Sequence, residues 1–293
     1  MTKFRDLTIV FIGYFVCIYL MLCTWNLLED INIWLRLLVV DVVGTIFIYL
    51  MSIFYNNSSW YDSYWSIIPP VLVFFAWTDF NAEGNTIRIT IMFLCLLFWA
   101  IRLTYNWARS WDGFKHEDWR YIMMKGGSKS AFQYFMVDFF AIHLIPTLFV
   151  FAALLPFFLV ISSSGITLNY LDLVAACTMI IAVLIQIISD QQMYNFRKFK
   201  GNKGKVMNQG LWKFSRHPNY FGEVLFWFGG FLFALASSLD NFWSIIGVFL
   251  MYVLVAITSV NMMDKRSLNS RDGFNEYVQS TNRFFLWFPK KGS

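Results

Sequence analysis

Long apolar runs constrain this chain more than any other feature of its sequence. They lie at about 8–28, 33–55, 65–80, 87–105, 134–160, 168–189, 219–239 and 241–263. A helix needs roughly 17 to 25 apolar residues to cross the hydrocarbon core of a bilayer, and most of the runs have that length. The third run is the shortest and contains Pro69 and Pro70. The sequence therefore predicts an all-α fold, a polytopic membrane bundle with seven or eight transmembrane helices.

Charged residues are scarce, and this sets the class of protein. They make up 14% of the sequence, whereas a soluble globular domain has roughly 25%. We therefore expect an integral membrane protein that lies in a lipid bilayer. The net charge of +5 does not predict a nucleic-acid partner, because the basic residues lie mainly in the connections between apolar runs. All four cysteines fall inside apolar runs without metal-ligand spacing, so neither a disulfide nor a metal site is predicted.

Lysines and arginines are distributed unevenly over the connections. If the N-terminus is cytoplasmic, all of them except Arg36, Arg88 and Arg102 fall in the terminal segments and the even-numbered connections. An excess of positive charge marks the cytoplasmic face of a membrane protein. The pattern predicts a multi-pass protein with both termini in the cytoplasm, in a bacterial inner membrane or an endoplasmic reticulum. No internal repeat or linker is visible, so residues 1–293 are predicted to form a single membrane domain.

The stretch from Gln209 to Phe231 combines polar chemistry with an apolar helix. A basic loop that contains glycine ends at Pro218, and the predicted helix that follows carries Asn219 and Glu223 near its start. A spacing of four residues puts both side chains on one face, beside the positive N-terminal end of the helix. Polar groups there are costly in a membrane unless they meet a ligand or a partner. We therefore expect a binding site at this helix end.

Hydrogen-bond donors, acceptors and positive charges are mixed along the whole segment from Asp190 to Glu223. Arginines can hold a phosphate with two hydrogen bonds, and carboxylates can bind ribose hydroxyls or a carboxamide. The alternative is a set of basic residues that only fixes the membrane orientation and contacts anionic lipid. The sequence has no Gly-x-Gly-x-x-Gly fingerprint, so a dinucleotide would have to bind without a Rossmann fold.

Three other side chains are candidates for proton transfer. Tyr105 lies near Arg102 at the end of the fourth apolar run. The alternative to a catalytic role is that Arg102 snorkels to the membrane surface and Tyr105 belongs to an aromatic belt at the interface. Asp62 lies between tyrosines in a connection, where it is equally compatible with a solvated acid or a helix cap. His217 is as compatible with a bond to the backbone or to a cofactor phosphate as with acid catalysis.

Three segments of the sequence resemble segments of a known membrane superfamily. They are the run from Ser215 to Glu223 followed by Trp227, the run from Arg102 to Arg109, and the run from Glu117 to Tyr121. They are similar to steroid 5-alpha-reductases, sterol reductases and isoprenylcysteine-type methyltransferases. Within this superfamily the chain most resembles the bacterial-type branch described as steroid 5-alpha-reductase-like. The resemblance covers about 61–289 as a reductase-like core and leaves about 1–60 as a two-helix addition.

The resemblance implies a helical cavity that NADPH enters from the cytoplasmic side. It implies hydride transfer to the beta carbon of an enone in a lipophilic small-molecule substrate, sterol-like or steroid-like, whose carbonyl is polarised by a tyrosine and an acid. Asp190, Arg197, Asn219 and Glu223 match cofactor-contacting positions of the family, and Tyr105 matches its substrate-side tyrosine. The predicted sites are therefore Tyr105 and Asp62 for catalysis, and Asp190, Arg197, Arg216, His217, Asn219, Glu223 and Arg266 for the cofactor.

The chain departs from the reductase pattern at two places. The reductases carry a glutamate just before the proline of the helix that corresponds to the third apolar run, and here Ile68, before Pro69, replaces it. Asp62, from one turn earlier, is a candidate to substitute for this glutamate. The histidines of the reductase tail are absent, and Arg266 is nearest to them in position. Steroid specificity does not follow from the resemblance.

Two other functions fit parts of the pattern. The methyltransferases of the superfamily share the Arg-His-Pro-x-Tyr run and use S-adenosylmethionine. An acid directly after Gly222, together with the run from Glu117 to Tyr121, favours the reductases. A non-catalytic sterol-binding protein or scaffold is the third reading.

Overall fold

The computed structural model describes residues 2–79, 85–163 and 167–290, and every regular element within these ranges is a helix. No strand occurs among the described residues, which confirms the predicted all-α fold class. The chain divides into two compact units, Met1–Thr167 and Leu168–Ser293. The predicted single domain, with residues 1–60 as an addition, stays a prediction.

The described helices include seven that are long and apolar enough to cross a membrane. They are Lys3–Leu27, Ile33–Phe54, Thr86–Ser110, Ala131–Ser162, Tyr170–Lys198, Pro218–Ser237 and Leu239–Leu268. The third apolar run forms a helix of 16 residues, Tyr64–Asp79. That helix is about 24 Å long, shorter than a hydrocarbon core of about 30 Å. The chain is a multi-pass membrane protein, as the sequence predicts.

In the first unit, the helices are separated by short connections. They are α1 (Thr2–Leu27), α2 (Ile33–Phe54), α3 (Tyr64–Asp79), α4 (Thr86–Ser110), α5 (Trp119–Gly126), α6 (Ala131–Met136) and α7 (Ile145–Ser162). A 3-10 helix, Ser58–Ser63, precedes α3, and a π-helical segment, Val137–Leu144, joins α6 to α7.

Asparagine side chains define several helix starts in this unit. The Asn32 side chain accepts a hydrogen bond from the backbone N–H of Trp34 at 3.0 Å, at the start of α2. Asn85 accepts from the backbone N–H of Arg88 at 3.2 Å, at the start of α4. Each cap satisfies an amide that has no partner within its own helix. The polar connections seen in the sequence therefore set where the apolar helices begin.

Buried polar side chains tie three helices of the first unit together. Tyr64 of α3 donates a hydrogen bond from Oη to Oδ1 of Asp41, in α2, at 2.9 Å. One turn after Asp41, Thr45 pairs with Thr147 of α7 at 3.0 Å, and Tyr61 also bonds to Thr147 at 2.9 Å. A buried polar group is costly unless it is hydrogen-bonded. These pairs therefore fix α2 and α3 against α7 at membrane depth.

The second unit contains five further helices in its described part. They are α8 (Tyr170–Lys198), α9 (Pro218–Ser237), α10 (Ile245–Tyr252), α11 (Val260–Leu268) and α12 (Phe274–Ser280). A π-helical segment, Val253–Ser259, joins α10 to α11. A capping box of Asn169 and Asp172 starts α8, in which the Asp172 carboxylate accepts from the Asn169 backbone at 2.8 Å.

Two glycines allow α9 to approach α8 very closely. A Cβ atom added at Gly222 would lie 2.7 Å from Cγ of Gln186 and 2.9 Å from the carbonyl oxygen of Ala182. One added at Gly229 would lie 2.5 Å from Cγ of Met179. The two glycines are seven residues apart and so share one face of α9. Small residues of this kind let membrane helices pack with their backbones in near contact.

Candidate functional site

A polar surface lies where the first half of α9 packs on α8, and we call it the α8–α9 polar face. It consists of Gln186 and Asp190 from α8 and Asn219 and Glu223 from α9. The Asn219 amide donates from Nδ2 to Oδ1 of Asp190 at 3.3 Å. The Gln186 amide donates from Nε2 to Oε2 of Glu223 at 2.9 Å. The structure therefore brings together three predicted cofactor-binding residues, Asp190, Asn219 and Glu223.

The carboxylate of Glu223 is held by donors from two helices. Its side chain is buried, with 3% of its surface exposed. Besides Gln186, the indole of Trp227 donates from Nε1 to Oε1 at 2.9 Å. These bonds orient the Glu223 carboxylate at the α8–α9 polar face. Sequence spacing predicted the shared face of α9 but not these partners.

Asn219 has an acceptor that the protein leaves unused. Its Oδ1 atom is buried and has no hydrogen-bond partner among the described residues. A buried acceptor without a partner costs about 1–3 kcal/mol. A ligand that carries an N–H group would remove this cost at the α8–α9 polar face.

Arg216 and His217 lie just before α9 and bind a carboxylate that the sequence analysis missed. Arg216 donates from Nη2 to Oδ2 of Asp264, in α11, at 2.9 Å. His217 contacts Oδ1 of Asp264 through Nε2 at 2.8 Å. Arg216 also donates from Nη1 to the carbonyl oxygen of Thr281 at 2.9 Å and from its backbone N–H to that of Asn282 at 2.8 Å. We call this arrangement the Asp264 clamp, because it fixes the C-terminal segment to the start of α9.

The protonation of His217 follows from its burial. Burial lowers the pKa of His217 below its ordinary value, although the hydrogen bond to Asp264 opposes this effect. The neutral ring therefore donates its Nε2 proton to Asp264. Nδ1 is then a buried acceptor, and it has no partner among the described residues. A direct cofactor contact for Arg216 or His217 stays a prediction.

Three arginines lie close together at the C-terminal ends of α8 and α11. They are Arg197, Arg266 and Arg271. Burial and the positive charges of Arg197 and Arg266 lower the pKa of Arg271. The segment that carries Arg271 docks on the basic loop after α8, where the Asp272 N–H donates to the Gly204 carbonyl oxygen at 3.1 Å.

Two arginines of this cluster, Arg197 and Arg271, have no direct partner in the described part of the chain. Within the described ranges, the guanidinium groups of Arg197 and Arg271 make neither a hydrogen bond nor an ion pair. Arg197 and Arg266 are exposed and Arg271 is partly buried. Like charges that lie close together repel one another and favour an anion between them. Guanidinium groups bind phosphate with two hydrogen bonds each. Arg271 was not among the predicted site residues, because its place next to Arg197 depends on the packing of the tail.

The predicted catalytic residues Tyr105 and Asp62 both belong to the first unit. Tyr105 lies near the end of α4 with 64% of its surface exposed, and the Arg109 guanidinium carbon lies 5.6 Å from its ring centroid. Asp62 accepts a hydrogen bond from Tyr121 Oη at 2.7 Å. Burial and the nearby Asp118 raise the pKa of Asp62 to about 7, although Arg120 opposes them. Asp62 can therefore carry a proton near neutral pH.

The raised pKa of Asp62 predicts a pH-dependent stability. Between pH 3.8 and about 7, native Asp62 keeps a proton that the unfolded chain releases. The free energy of unfolding should therefore fall as pH rises through this interval and level off above it. For a partly exposed side chain we expect a fall of about 1–2 kcal/mol. Thermal unfolding of the detergent-solubilised protein at several pH values measures it.

Two variants separate this effect from the titration of other groups. Asp62→Asn should flatten the pH dependence. Asp112→Asn, which changes an exposed carboxylate, should retain it. Equal slopes for the wild type and Asp62→Asn would contradict the assignment.

A metal centre has no support in the described residues. No group of three or more His, Cys, Asp or Glu side chains there is arranged to hold a metal ion. The chemistry available is that of arginines, amides and carboxylates in the second unit, and of Tyr105 and Asp62 in the first.

Comparison with known proteins places most of the chain in a recognisable group. A family model described as "Protein of unknown function (DUF1295)" matches residues 48–281. A curated protein of Schizosaccharomyces pombe, described as uncharacterized, is 24% identical over 258 residues, which cover 80% of this chain and 74% of that protein. No solved structure matches the chain significantly.

Proposed function

The chain belongs to the DUF1295 family, within the steroid 5-alpha-reductase-like superfamily, and we propose that it is a membrane-embedded reductase that uses NADPH. The proposed reaction saturates a carbon–carbon double bond conjugated to a carbonyl in a lipophilic, sterol-like or steroid-like molecule. NADPH, when bound, supplies the hydride for this reaction. The observation that carries the proposal is the pair Arg197 and Arg271, whose guanidinium groups make no hydrogen bond or ion pair among the described residues, together with the polar residues that Arg197's helix contributes to the α8–α9 polar face.

The second unit contains groups that fit a dinucleotide. Asp190 and Arg197 are seven residues apart on α8, so they lie on the same face of that helix. The arginine cluster would hold phosphate groups, and the unused Oδ1 of Asn219 would accept from a carboxamide N–H. Glu223, held by Gln186 and Trp227, would fix the position of this end of the ligand. Arg216 and His217 keep the start of α9 in place through the Asp264 clamp.

The reaction also needs a proton to balance the hydride, and the family resemblance points to Tyr105 and Asp62 for this role. A general acid works best when its pKa lies near the operating pH, and Asp62 meets this condition with a pKa of about 7. Tyr105 is the proposed donor to the substrate carbonyl oxygen, where it would stabilise the enolate. Cytoplasmic entry of the cofactor and a cytoplasmic location of both termini are part of the same proposal.

Nucleotide binding is the direct test of this function. NADPH, NADH and S-adenosylmethionine would each be titrated into detergent-solubilised protein, with binding followed by calorimetry or thermal shift. We expect saturable NADPH binding that Arg197→Gln and Arg271→Gln each weaken by about tenfold to a hundredfold, the value of a charge-assisted hydrogen bond. Lys213→Gln removes one positive charge from an exposed position in the same unit and should leave the affinity unchanged.

The other outcomes discriminate between the readings of the sequence. Binding of S-adenosylmethionine alone would replace the reductase with a methyltransferase of the isoprenylcysteine type. No saturable nucleotide binding would favour a non-catalytic sterol-binding role. Equal losses of NADPH affinity in Lys213→Gln and Arg271→Gln would show that the affinity depends only on net charge.

A further inference from the structure

A cavity of about 360 Å³ lies against α9 within the second unit. Its walls come from α9, from α10 and from the segment after α12, and they include Val224, Phe228, Val248, Phe249, Phe284 and Phe285. These side chains are apolar, and the wall also includes Tyr252, which adds an aromatic ring and one hydroxyl group. The volume lies within the range of pockets that hold small organic ligands, which is roughly 300–1,000 Å³.

The cavity is separate from the α8–α9 polar face. Successive residues of an α-helix are turned by about 100°, so Val224 and Phe228 point away from the side that carries Asn219 and Glu223. Those two polar residues contact α8, whereas the cavity lies between α9 and α10. A molecule in the cavity is therefore not in contact with the groups proposed to bind the dinucleotide.

The surroundings of the cavity identify the chemistry of an occupant. Both of its helices belong to membrane-crossing stretches, Pro218–Ser237 and Leu239–Leu268. Hydrocarbon chains are the abundant apolar molecules at that depth. Because the walls offer mainly aliphatic and aromatic carbon, the part of a ligand that fits them is an alkyl chain.

A positive charge lies next to one end of the cavity. Arg283 directly precedes Phe284 in the chain, and its side chain is 43% exposed. Its Nε atom lies 3.4 Å from Oδ2 of Asp264, the same oxygen that Arg216 contacts at 2.9 Å. Since His217 is neutral, one carboxylate faces two guanidinium groups, and a positive charge is left over. A positive charge beside an apolar cavity suits a lipid with a negative headgroup.

We propose that this cavity binds an acyl chain of an anionic phospholipid, whose headgroup lies at Arg283. The site does not rest on the proposed reductase function, and it makes the second unit sensitive to the composition of the membrane. Binding here would also stabilise the C-terminal segment, because Phe284 and Phe285 form part of the wall.

Photo-crosslinking tests the proposal. The protein would be placed in nanodiscs of phosphatidylcholine with a small share of phosphatidylglycerol that carries a diazirine in its acyl chain, and adducts would be mapped by mass spectrometry. We expect adducts concentrated on the α9 and α10 residues of the cavity. Val224→Trp should reduce them about tenfold, the loss expected when roughly two methylene groups are excluded. Ile181→Trp, at an exposed position on α8, should leave them unchanged.

A second pair of measurements tests the headgroup. With a diazirine phosphatidylcholine of the same chain length, wild-type labelling of the cavity should be weaker, and Arg283→Gln should abolish the preference for phosphatidylglycerol. Should Val224→Trp fail to fold, Leu225→Phe fills the same cavity with a smaller change. Labelling spread evenly over the exposed helix faces, or unchanged by both cavity-filling variants, would overturn the proposal. An equal yield of cavity adducts from the two lipids in the wild type would overturn the proposed preference for an anionic headgroup.

Discussion

Replacing Asp264 with alanine is expected to destabilise the protein by about 3–5 kcal/mol, the range measured when one partner of a buried ion pair is removed. Arg216 is buried, with 8% of its surface exposed, and would lose its carboxylate. His217 would lose its partner at Nε2 in the same variant. Thermal unfolding in detergent would measure the change.

The same variant should also affect ligand binding. The Asp264 clamp fixes the residues directly before α9, and α9 carries Asn219 and Glu223. We therefore expect Asp264→Ala to lose nucleotide affinity together with stability. Asp240→Ala, which removes an exposed carboxylate from the second unit, is the matched control and should be within about 0.5 kcal/mol of the wild type. A loss below about 1 kcal/mol for Asp264→Ala would show that the clamp is not a stabilising element.

Introducing a side chain at Gly222 is also expected to destabilise the protein. In Gly222→Val, the new Cβ would lie 2.9 Å from the backbone oxygen of Ala182, which cannot move without displacing α8. It would also lie 2.7 Å from Cγ of Gln186, the residue that binds Glu223. Overpacking of this kind costs about 1–3 kcal/mol, or more where backbone is involved.

Gly126→Ala provides the matched control for this prediction. A Cβ at Gly126, in α5, would meet no atom within 4 Å. This substitution should be neutral or stabilising by up to about 1 kcal/mol, because alanine favours helix more than glycine does. The two variants would be compared by thermal unfolding and by nucleotide titration. A wild-type melting temperature for Gly222→Val would contradict the close packing of α8 on α9.

The fold was predictable because its signal is local. Each apolar run reflects the apolar environment of one helix. The pair Pro69 and Pro70 distinguished α3 from the other helices. The division into units at Thr167 was not predictable in the same way. The division depends on which helices contact each other. Apolar side chains have similar shapes, so a single sequence does not indicate which helix packs on which.

Helix periodicity predicted the candidate site only where its residues share a helix, and Asp190, on the neighbouring helix, was predicted from the family resemblance. Asn219 and Glu223 are one turn apart, so their common face follows from the period of the helix. Asp264 and Arg271 are far from them in the sequence, and only the folded tail brings Asp264 to Arg216. For Arg216, the residue type suggested a phosphate ligand, because the sequence alone shows no partner for its guanidinium group. The structure shows its two terminal nitrogens occupied by Asp264 and by carbonyl oxygens, whereas Nε has no partner among the described residues.

The π-helical segment between α10 and α11, Val253–Ser259, sets the direction in which Asp264 points. A π-helical segment accommodates one more residue than a regular helix of the same length would. If all seven residues of this segment formed a regular α-helix instead, everything after them would be rotated by about 100°. Asp264 and Arg266 would then turn away from Arg216 and Arg197 together. An irregularity of a few residues in an apolar helix thus controls the alignment of both charged groups at its far end.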